Sequence, residues 1–187
     1  MMFFSSYCAS VFQYAAMVRA GKVTICDGEQ AAGNRHSLNR CSICGANGVV
    51  PLSVPIDKAS RFIPVRDILI SNHGDWRRLH WGAIFSAYGK TPFFDYIAPE
   101  LEPIIKGNQK FIFDLNEQLL SLFIDFLDLP VAVHYSSDSS LPKAEFPPSL
   151  PEYHQIWSPR HGFQPGLSIL DLLCNMGREA IFVLRQQ

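Results

Sequence analysis

The residues best suited to chemistry lie on one predicted helix, which follows a natural N-cap at Asp75 and ends near Gly89. Its apolar positions are three or four residues apart, which is the spacing of a buried helix face: Trp76, Leu79, Ala83, Ile84 and Ala87. His80 falls in the same stripe. A buried imidazole needs a hydrogen-bond partner, because burying it without one is costly. His80 is therefore either a core histidine or a site residue able to act as a general base.

Two polar positions elsewhere are candidates for substrate binding. Asn39-Arg40 ends a polar loop and enters a predicted strand, and an arginine there can hold a phosphate or carboxylate through two parallel hydrogen bonds. An ion pair with Asp27 or Glu29 is an equally good interpretation of Arg40. Asn116 lies at the second position of a predicted helix, where its amide can point to a ligand or stabilise a loop.

The C-terminal third of the chain adds a carboxylate and an aromatic segment. Asp171 lies three residues after Ser168, a spacing typical of a helix capping box, although the carboxylate could also serve a site. Tyr153 and Gln155 flank a tryptophan-containing loop. These two side chains suit either the wall of a substrate cleft or a satellite hydrophobic cluster under a long loop.

The five cysteines give little support for a metal site. Cys41-Ser-Ile-Cys44 resembles half of a zinc knuckle, but no second pair of ligands follows it. His73 and His80 lack the acidic sequence context of a zinc-binding helix. We therefore expect no metal, and we interpret the cysteines as reduced thiols in a cytoplasmic protein. The residues indicate no particular cofactor.

Composition restricts the class of protein. A chain of 187 residues is the size of one domain, and we expect a single domain over residues 1–187. Sixteen basic and seventeen acidic residues, without a basic run, argue against nucleic acid as a partner. No apolar segment is long enough for a spanning helix, so we expect no membrane span. The oligomeric state is not indicated.

The predicted elements favour an α/β domain. Strands are predicted at residues 2–5, 22–27, 40–44, 49–54, 65–70 and 131–134. The third and fourth form a predicted hairpin around Gly45-Ala-Asn-Gly48. Helices are predicted at 10–19, 75–89, from 91 towards 105 with a break at Pro99, 114–127, 168–177 and 178–184. Asp114-Leu-Asn-Glu117 fits the capping-box pattern that would open the fourth of these helices. Residues 136–151 are rich in serine and proline and are predicted to form a mobile loop. We expect a mixed sheet formed mostly by the N-terminal half, packed by helices mostly from the C-terminal half.

Taken together, these segments resemble the WbqC-like protein family over nearly the whole chain, from about residue 3 to 185. The matching residues are Asn39-Arg40, Asp75-Trp76-x-x-Leu79-His80-Trp81 with Ala87-Tyr88, Pro92-Phe-Phe94, Asp114-Leu-Asn116, Tyr153-x-Gln155, and Gly162-Phe-x-Pro165 through Asp171-Leu172 and Asn175-x-Gly177. Family members belong to gene clusters for O-antigen and other surface polysaccharides. The resemblance implies a transferase that moves a glycyl, amino-acid or acyl group to a sugar.

The chain departs from the family pattern near its N-terminus. Many members carry His-Gln-Pro-Asn-Tyr after the first strand, whereas this chain has Ser5-Ser-Tyr-Cys-Ala-Ser10, in which Tyr7 is the one obvious polar aromatic residue. The 136–151 loop is also shorter than in many members. This divergence keeps a second hypothesis open, a non-catalytic ligand-binding or scaffold protein of the same pathway.

The enzyme hypothesis assigns roles to residues from distant segments. His80 and Asp171 form the catalytic group, with His80 as general base and Asp171 orienting the substrate. Arg40 would hold a phosphate or carboxylate. The remaining substrate-binding candidates are Asn39, Asn116, Tyr153, Gln155 and Asn175. The expected small-molecule partner is a sugar or an activated acyl donor.

Overall fold

The computed structural model describes residues 1–28, 35–57, 63–138 and 140–186. This part of the chain contains five strands and eight α-helices, with short 3-10 turns at Val65–Asp67 and Gly177–Glu179. The strands are β1 (Met2–Phe4), β2 (Lys22–Cys26), β3 (Arg40–Gly45), β4 (Gly48–Ser53) and β5 (Ala132–Ser136). The helices are α1 (Val11–Ala20), α2 (Arg35–Leu38), α3 (Trp76–Tyr88), α4 (Phe94–Ile105), α5 (Ile112–Phe126), α6 (Ser158–His161), α7 (Ile169–Met176) and α8 (Ala180–Arg185).

A small parallel sheet forms the first layer. Its strand order is β1-β2-β5, and Phe3, Ile25 and Tyr135 lie side by side across it. The free edge of β1 hydrogen-bonds to residues 142–144 through the backbone of Met2. The described part of the predicted 136–151 loop is therefore tied to the sheet at this point.

The second sheet is a hairpin of β3 and β4 around the turn at Ala46-Asn47, as predicted. The prediction of an α/β domain with parallel and antiparallel strand pairing is confirmed, although the two kinds of pairing occur in separate sheets. One continuous cluster of buried side chains joins both sheets to the helices. No helix in the described ranges is long and apolar enough to span a membrane.

Helix α3 buries most of the predicted stripe. Trp76, Ile84 and Ala87 are buried, and Ala83 is partly buried. Leu79 is the exception, because it lies about 100° around the helix from the centre of the buried face and is 59% exposed. Asp75 precedes the helix without capping it through its side chain, and its carboxylate pairs with Arg78 instead.

Helices α4 and α5 differ from the prediction in their bounds. Pro99 does not break α4, because Phe94, Ile97, Leu101 and Ile105 bury a continuous face while Pro99 and Pro103 lie on the exposed side. Helix α5 begins at Ile112, whose amide donates to the Ile68 carbonyl, and not at a capping box opened by Asp114. Asn116 therefore lies in the second turn of α5.

The strand predicted at residues 65–70 was wrong. Residues 65–67 form a 3-10 turn after Pro64, and the Arg66 amide donates to the carbonyl of Asp27 at 3.2 Å. Leu69 and Ile70 then make single bridges to Phe111 and Ile56. Pairing with two different partners on successive residues prevents a continuous ladder.

Candidate active site

His80 is paired with Tyr7, which follows the first strand. The Tyr7 hydroxyl and His80 Nδ1 are 2.9 Å apart, and both side chains are buried. The Trp76 ring meets the imidazole edge-on, with 5.1 Å between centroids. Burial lowers the pKa of His80 to about 4, although a hydrogen bond with the Ser53 backbone opposes the shift. At neutral pH the imidazole is therefore uncharged and engaged with internal partners.

A second polar cluster lies just beyond the carboxyl end of β1. Asn116 Nδ2 donates to Ser5 Oγ at 3.2 Å and to the Leu38 carbonyl at 2.9 Å, and Ser5 Oγ donates to Glu117 Oε1 at 3.2 Å. The Tyr7 amide also donates to the Leu38 carbonyl, at 3.2 Å. Asn116 and His80 are thus connected through Leu38 and Tyr7.

Two oxygens of this cluster are buried without a donor from any described residue, Asn116 Oδ1 and Glu117 Oε2. Burial raises the pKa of Glu117, and the neighbouring hydroxyls of Tyr135 and Ser5 counteract that rise in part. The Tyr135 hydroxyl thus lies within hydrogen-bonding reach of the carboxyl group, and Oε2 is buried from solvent. A carboxyl group with a raised pKa is equipped to accept and return a proton.

Glu117 lines an open cleft between α4, α5 and β5. The cleft has a volume of about 740 Å³, and its other lining residues include Glu100, Gln118, Ser121 and Tyr135. Tyr135 is 52% exposed and meets the ring of Phe113 edge-on. This cleft combines an aromatic surface with several hydrogen-bonding groups. Another cavity, of about 440 Å³ beside Phe93 and Phe126, contains none of the predicted site residues.

Asp171 belongs to a separate network on α7. Its Oδ2 atom accepts hydrogen bonds from the Tyr153 hydroxyl and Gln155 Nε2, both at 2.8 Å, and the residue is fully buried. Burial raises the pKa of Asp171, whereas hydrogen bonds from Tyr153, Tyr88 and Gln155 lower it. Ser168 caps the helix by accepting from the Leu170 amide, but the Ser168 amide donates to the Ser42 carbonyl and not to Asp171. The predicted capping box is therefore only half formed.

Asn175 extends this network into the preceding loop. Its Oδ1 atom accepts from the Ile156 amide at 3.0 Å, and its Nδ2 atom donates to the Asp171 carbonyl at 2.7 Å. Gln155 also exchanges two hydrogen bonds with the backbone of Gln164. Asp171, Gln155 and Asn175 thus fasten residues 153–164 to α7.

Asn39 and Arg40 have different environments. Asn39 Nδ2 donates to the Val54 carbonyl at 2.7 Å and so closes the open end of the hairpin. Arg40 is exposed at the start of β3 and makes no hydrogen bond or ion pair with a described residue. Asp27, one of its two predicted partners, is paired with Arg66 instead. The other, Glu29, is outside the described residues.

Six of the eight predicted site residues therefore form two groups, and Asn39 and Arg40 belong to neither. His80 and Asn116 are linked at the end of β1, while Asp171, Tyr153, Gln155 and Asn175 form the network on α7, and no hydrogen bond between described residues joins the two directly. Sequence reasoning missed Ser5, Glu117 and Tyr135. Glu117 was interpreted as part of a capping box with Asp114, and this concealed the signal of two adjacent polar residues, Asn116 and Glu117.

No group of three or more potential metal ligands occurs among the described residues. Cys44 is buried, and its amide donates to the Tyr88 hydroxyl at 3.2 Å. Cys41 is partly exposed and pairs with Leu52 across the hairpin. The Cys44 thiol donates to the Gly45 carbonyl at 3.9 Å, whereas the Cys41 thiol lies beside that of Cys8, so the two thiols have different surroundings.

Comparison with known proteins gives one family and one informative relative. An uncharacterized protein of Mycobacterium tuberculosis is 28% identical over 190 residues, covering 79% of this chain and 80% of the relative. No solved structure matches the chain. The model of the WbqC-like protein family matches residues 13–146, which include most of α1, strands β2 to β5 and helices α2 to α5. The chain belongs to the WbqC-like protein family.

Proposed function

We propose that this protein is a transferase of surface polysaccharide biosynthesis that moves an acyl or aminoacyl group to a sugar. The acceptor sugar occupies the cleft between α4, α5 and β5, with Glu117 as the acid–base group. Membership of the WbqC-like family supports the pathway. The cleft supports the site, because aromatic and hydrogen-bonding groups face one another across a space large enough for a sugar.

The observation that carries this proposal is the free oxygen of Glu117. Oε2 is buried without a donor from the described chain, while Oε1 is fixed by Ser5. A buried carboxylate oxygen without a donor is costly, so the carboxyl group is stabilised when it takes up a proton or meets a donor from outside the chain. A substrate hydroxyl or amine becomes such a donor once the carboxyl group turns towards the cleft that Glu117 lines.

In the proposed chemical step the Glu117 carboxyl group takes a proton and later returns it. Glu117 removes the proton from the acceptor O–H or N–H while the acceptor atom bonds to the carbonyl carbon of an activated acyl donor. The bond between that carbon and its leaving group then breaks, and Glu117 returns the proton to the leaving group. The raised pKa of Glu117 brings its proton affinity closer to what both transfers need.

The residues expected from sequence take supporting roles in this proposal. His80 holds Tyr7, whose amide shares the Leu38 carbonyl with the Asn116 side chain, and Asn116 donates in turn to Ser5. As a general base it is poorly suited, because its pKa of about 4 leaves a weak base at neutral pH. Asp171 orients the loop of Tyr153 and Gln155. Arg40 remains the candidate for a donor phosphate or carboxylate, since its guanidinium is exposed.

The first prediction concerns Glu117→Gln. The amide keeps an acceptor for Ser5 but cannot take a proton, so we expect transfer to fall by about 100-fold or more. Activity should be measured as turnover on acyl, aminoacyl and nucleotide-sugar donors with sugar acceptors. Asp125→Asn is the matched control, because it makes the same change on the exposed side of α5. Equal turnover by both variants would rule out Glu117 as the acid–base group.

A non-catalytic binding protein is the second candidate. It is favoured by the internal hydrogen bonds of His80 and Asp171 and by the serines that stand in place of the family's His-Gln-Pro-Asn-Tyr run. In that case wild-type protein binds a sugar in the Glu117 cleft but turns over none of the donors.

A further inference from the structure

Two cysteines from distant parts of the chain lie side by side. Cys8 follows β1, Cys41 is the second residue of β3, and both are free thiols in this structure. The two thiols hydrogen-bond to each other. Sulfur atoms at hydrogen-bonding distance need only a short approach to form an S–S bond of about 2 Å.

The backbone brings the two segments together independently of the thiols. Ala9 and Ser42, the residues that follow the two cysteines, both accept hydrogen bonds from the start of α7. The Ile169 amide donates to the Ala9 carbonyl at 2.9 Å, and the Ser168 amide donates to the Ser42 carbonyl at 2.8 Å. The closeness of the thiols is therefore a property of the fold and not of two side-chain rotamers alone.

The backbone of Cys8 has an unusual conformation. Its φ angle is +42°, a value that residues other than glycine rarely adopt. The preceding Tyr7 amide donates to the carbonyls of Ser37 and Leu38, at 3.0 and 3.2 Å, and these bonds help to hold the turn. Strained positions of this kind persist where the surroundings fix them, and they are frequent at functional sites.

The two thiols differ in access to solvent, and this difference sets the order in which they react. Cys41 is partly exposed, whereas Cys8 is only 1% exposed. Burial raises the pKa of the Cys8 thiol, and the hydrogen bond with Cys41 raises it further. An oxidant in solution therefore reaches Cys41 first, while Cys8 waits beside it as a protonated second thiol.

We propose that Cys8 and Cys41 form a reversible disulfide when the protein meets hydrogen peroxide. The Cys41 sulfur attacks the peroxide, the O–O bond breaks, and Cys41 becomes a sulfenic acid while one water leaves. The Cys8 sulfur then bonds to the Cys41 sulfur, and the hydroxyl group departs with the Cys8 proton as a second water. The thiols lose two electrons, which reduce the peroxide, and a dithiol reductant reverses the change.

The disulfide would fasten to β3 the segment that leaves β1. This segment carries Ser5, which donates to Glu117, and Tyr7, which pairs with His80. Oxidation would thus act on the residues that position the candidate site. The disulfide itself does not depend on the proposed transfer reaction.

The test is peptide mapping of the reduced full chain after treatment with hydrogen peroxide and alkylation. Trypsin leaves Cys8 in the peptide of residues 1–19, and Cys41 together with Cys44 in the peptide of residues 41–58. In Cys44→Ser the second peptide keeps a single cysteine, and the serine hydroxyl can replace the thiol as a donor. We expect the two peptides to be joined in wild type and in Cys44→Ser, and to separate after reduction.

Substitution of each partner tests the order of the steps. In Cys8→Ser, peroxide should leave Cys41 as a sulfenic acid that dimedone traps. In Cys41→Ser, the buried Cys8 should stay unmodified at the peroxide concentration that links the wild type. Wild type unfolded in urea measures pairing without the fold, and its yield of the joined peptides should fall by about tenfold or more.

Three results would overturn the inference. The first is the absence of joined peptides from folded wild type and Cys44→Ser. The second is a disulfide that links Cys41 to Cys44 or to a second copy of the chain. The third is trapping of Cys41 by dimedone in wild type to the same extent as in Cys8→Ser, which would show that Cys8 does not react with the sulfenic acid.

Discussion

At the scale of single residues, burial decides which groups are available for chemistry. His80 has the residue type of a general base, but Tyr7 and the Ser53 backbone engage its ring, and burial lowers its pKa to about 4. Glu117 and Asp171 both have a raised pKa and an oxygen without a hydrogen bond from a described residue. Glu117 also lines an open cleft, and this position points to Glu117 as the acid–base group.

The second prediction is a pH dependence of stability due to His80. Its folded pKa of about 4 lies below its ordinary value of 6.5, so the unfolded chain binds the proton first as the pH falls. The stabilisation is fully present above pH 6.5 and is lost as the pH falls from 6.5 to about 4. As the pH falls over this range, the free energy of unfolding of the wild type relative to that of His80→Gln should decrease by about 3 kcal/mol.

Urea denaturation of both proteins at pH 7 and pH 4 measures that difference. His80→Asn provides a second comparison if the glutamine variant does not fold. A difference that stays constant with pH would show that the imidazole titrates normally, and the assignment of His80 as a neutral buried residue would then be wrong.

At the scale of elements, the parallel sheet and α5 place the candidate site. The chain passes from β1 directly to Ser5 and Tyr7, and the second turn of α5 brings Asn116 and Glu117 to the same point. Side chains beyond the carboxyl ends of parallel strands are a recurrent location for ligand sites in α/β proteins.

The third prediction concerns the loop of residues 153–164. Asp171→Ala removes the acceptor of Tyr153 and Gln155, which are then left with buried donors, so unfolding free energy should fall by about 3 kcal/mol. Amide hydrogen exchange in residues 153–164 should also become faster. Asp171→Asn, which retains an acceptor oxygen, should cost less. Slow exchange in the alanine variant would show that the loop is held by other contacts.

The sequence predicted local structure better than contacts between distant segments. The hairpin, α1 and α3 follow from short-range patterns such as the turn at Ala46-Asn47 and the spacing from Trp76 to Ala87. The start of α5 depends on a backbone hydrogen bond from Ile112 to Ile68, which no local pattern reveals. The hydrogen bond between Ser5 and Glu117, which are 112 residues apart in the chain, likewise could not be predicted from local sequence patterns.

At the scale of the whole molecule, one hydrophobic core supports both sheets. Buried residues of α1, α3, α5 and α7 belong to the same cluster as those of the strands. We therefore expect unfolding in a single cooperative transition, in agreement with the one domain predicted for residues 1–187. The site would then be lost together with the fold.

The fourth prediction tests this cooperativity through Trp76. Its side chain is 7% exposed, and truncation to alanine should lower the free energy of unfolding by about 3–5 kcal/mol. Fluorescence and far-ultraviolet circular dichroism should report the same lowered midpoint. Leu79→Ala is the control on the same helix, and because Leu79 is 59% exposed it should change stability by only about 0.5 kcal/mol. Separate transitions for the two probes would contradict a single cooperative unit.

The fifth prediction is the titration of Glu117 itself, followed by NMR of protein labelled with ¹³C at glutamate carboxyl carbons. The Glu117 resonance can be assigned by its absence from Glu117→Gln. We expect a pKa above the ordinary glutamate value in the free protein, because burial disfavours the charged form. An ordinary glutamate pKa would contradict the central claim that Glu117 is the group that accepts and returns a proton.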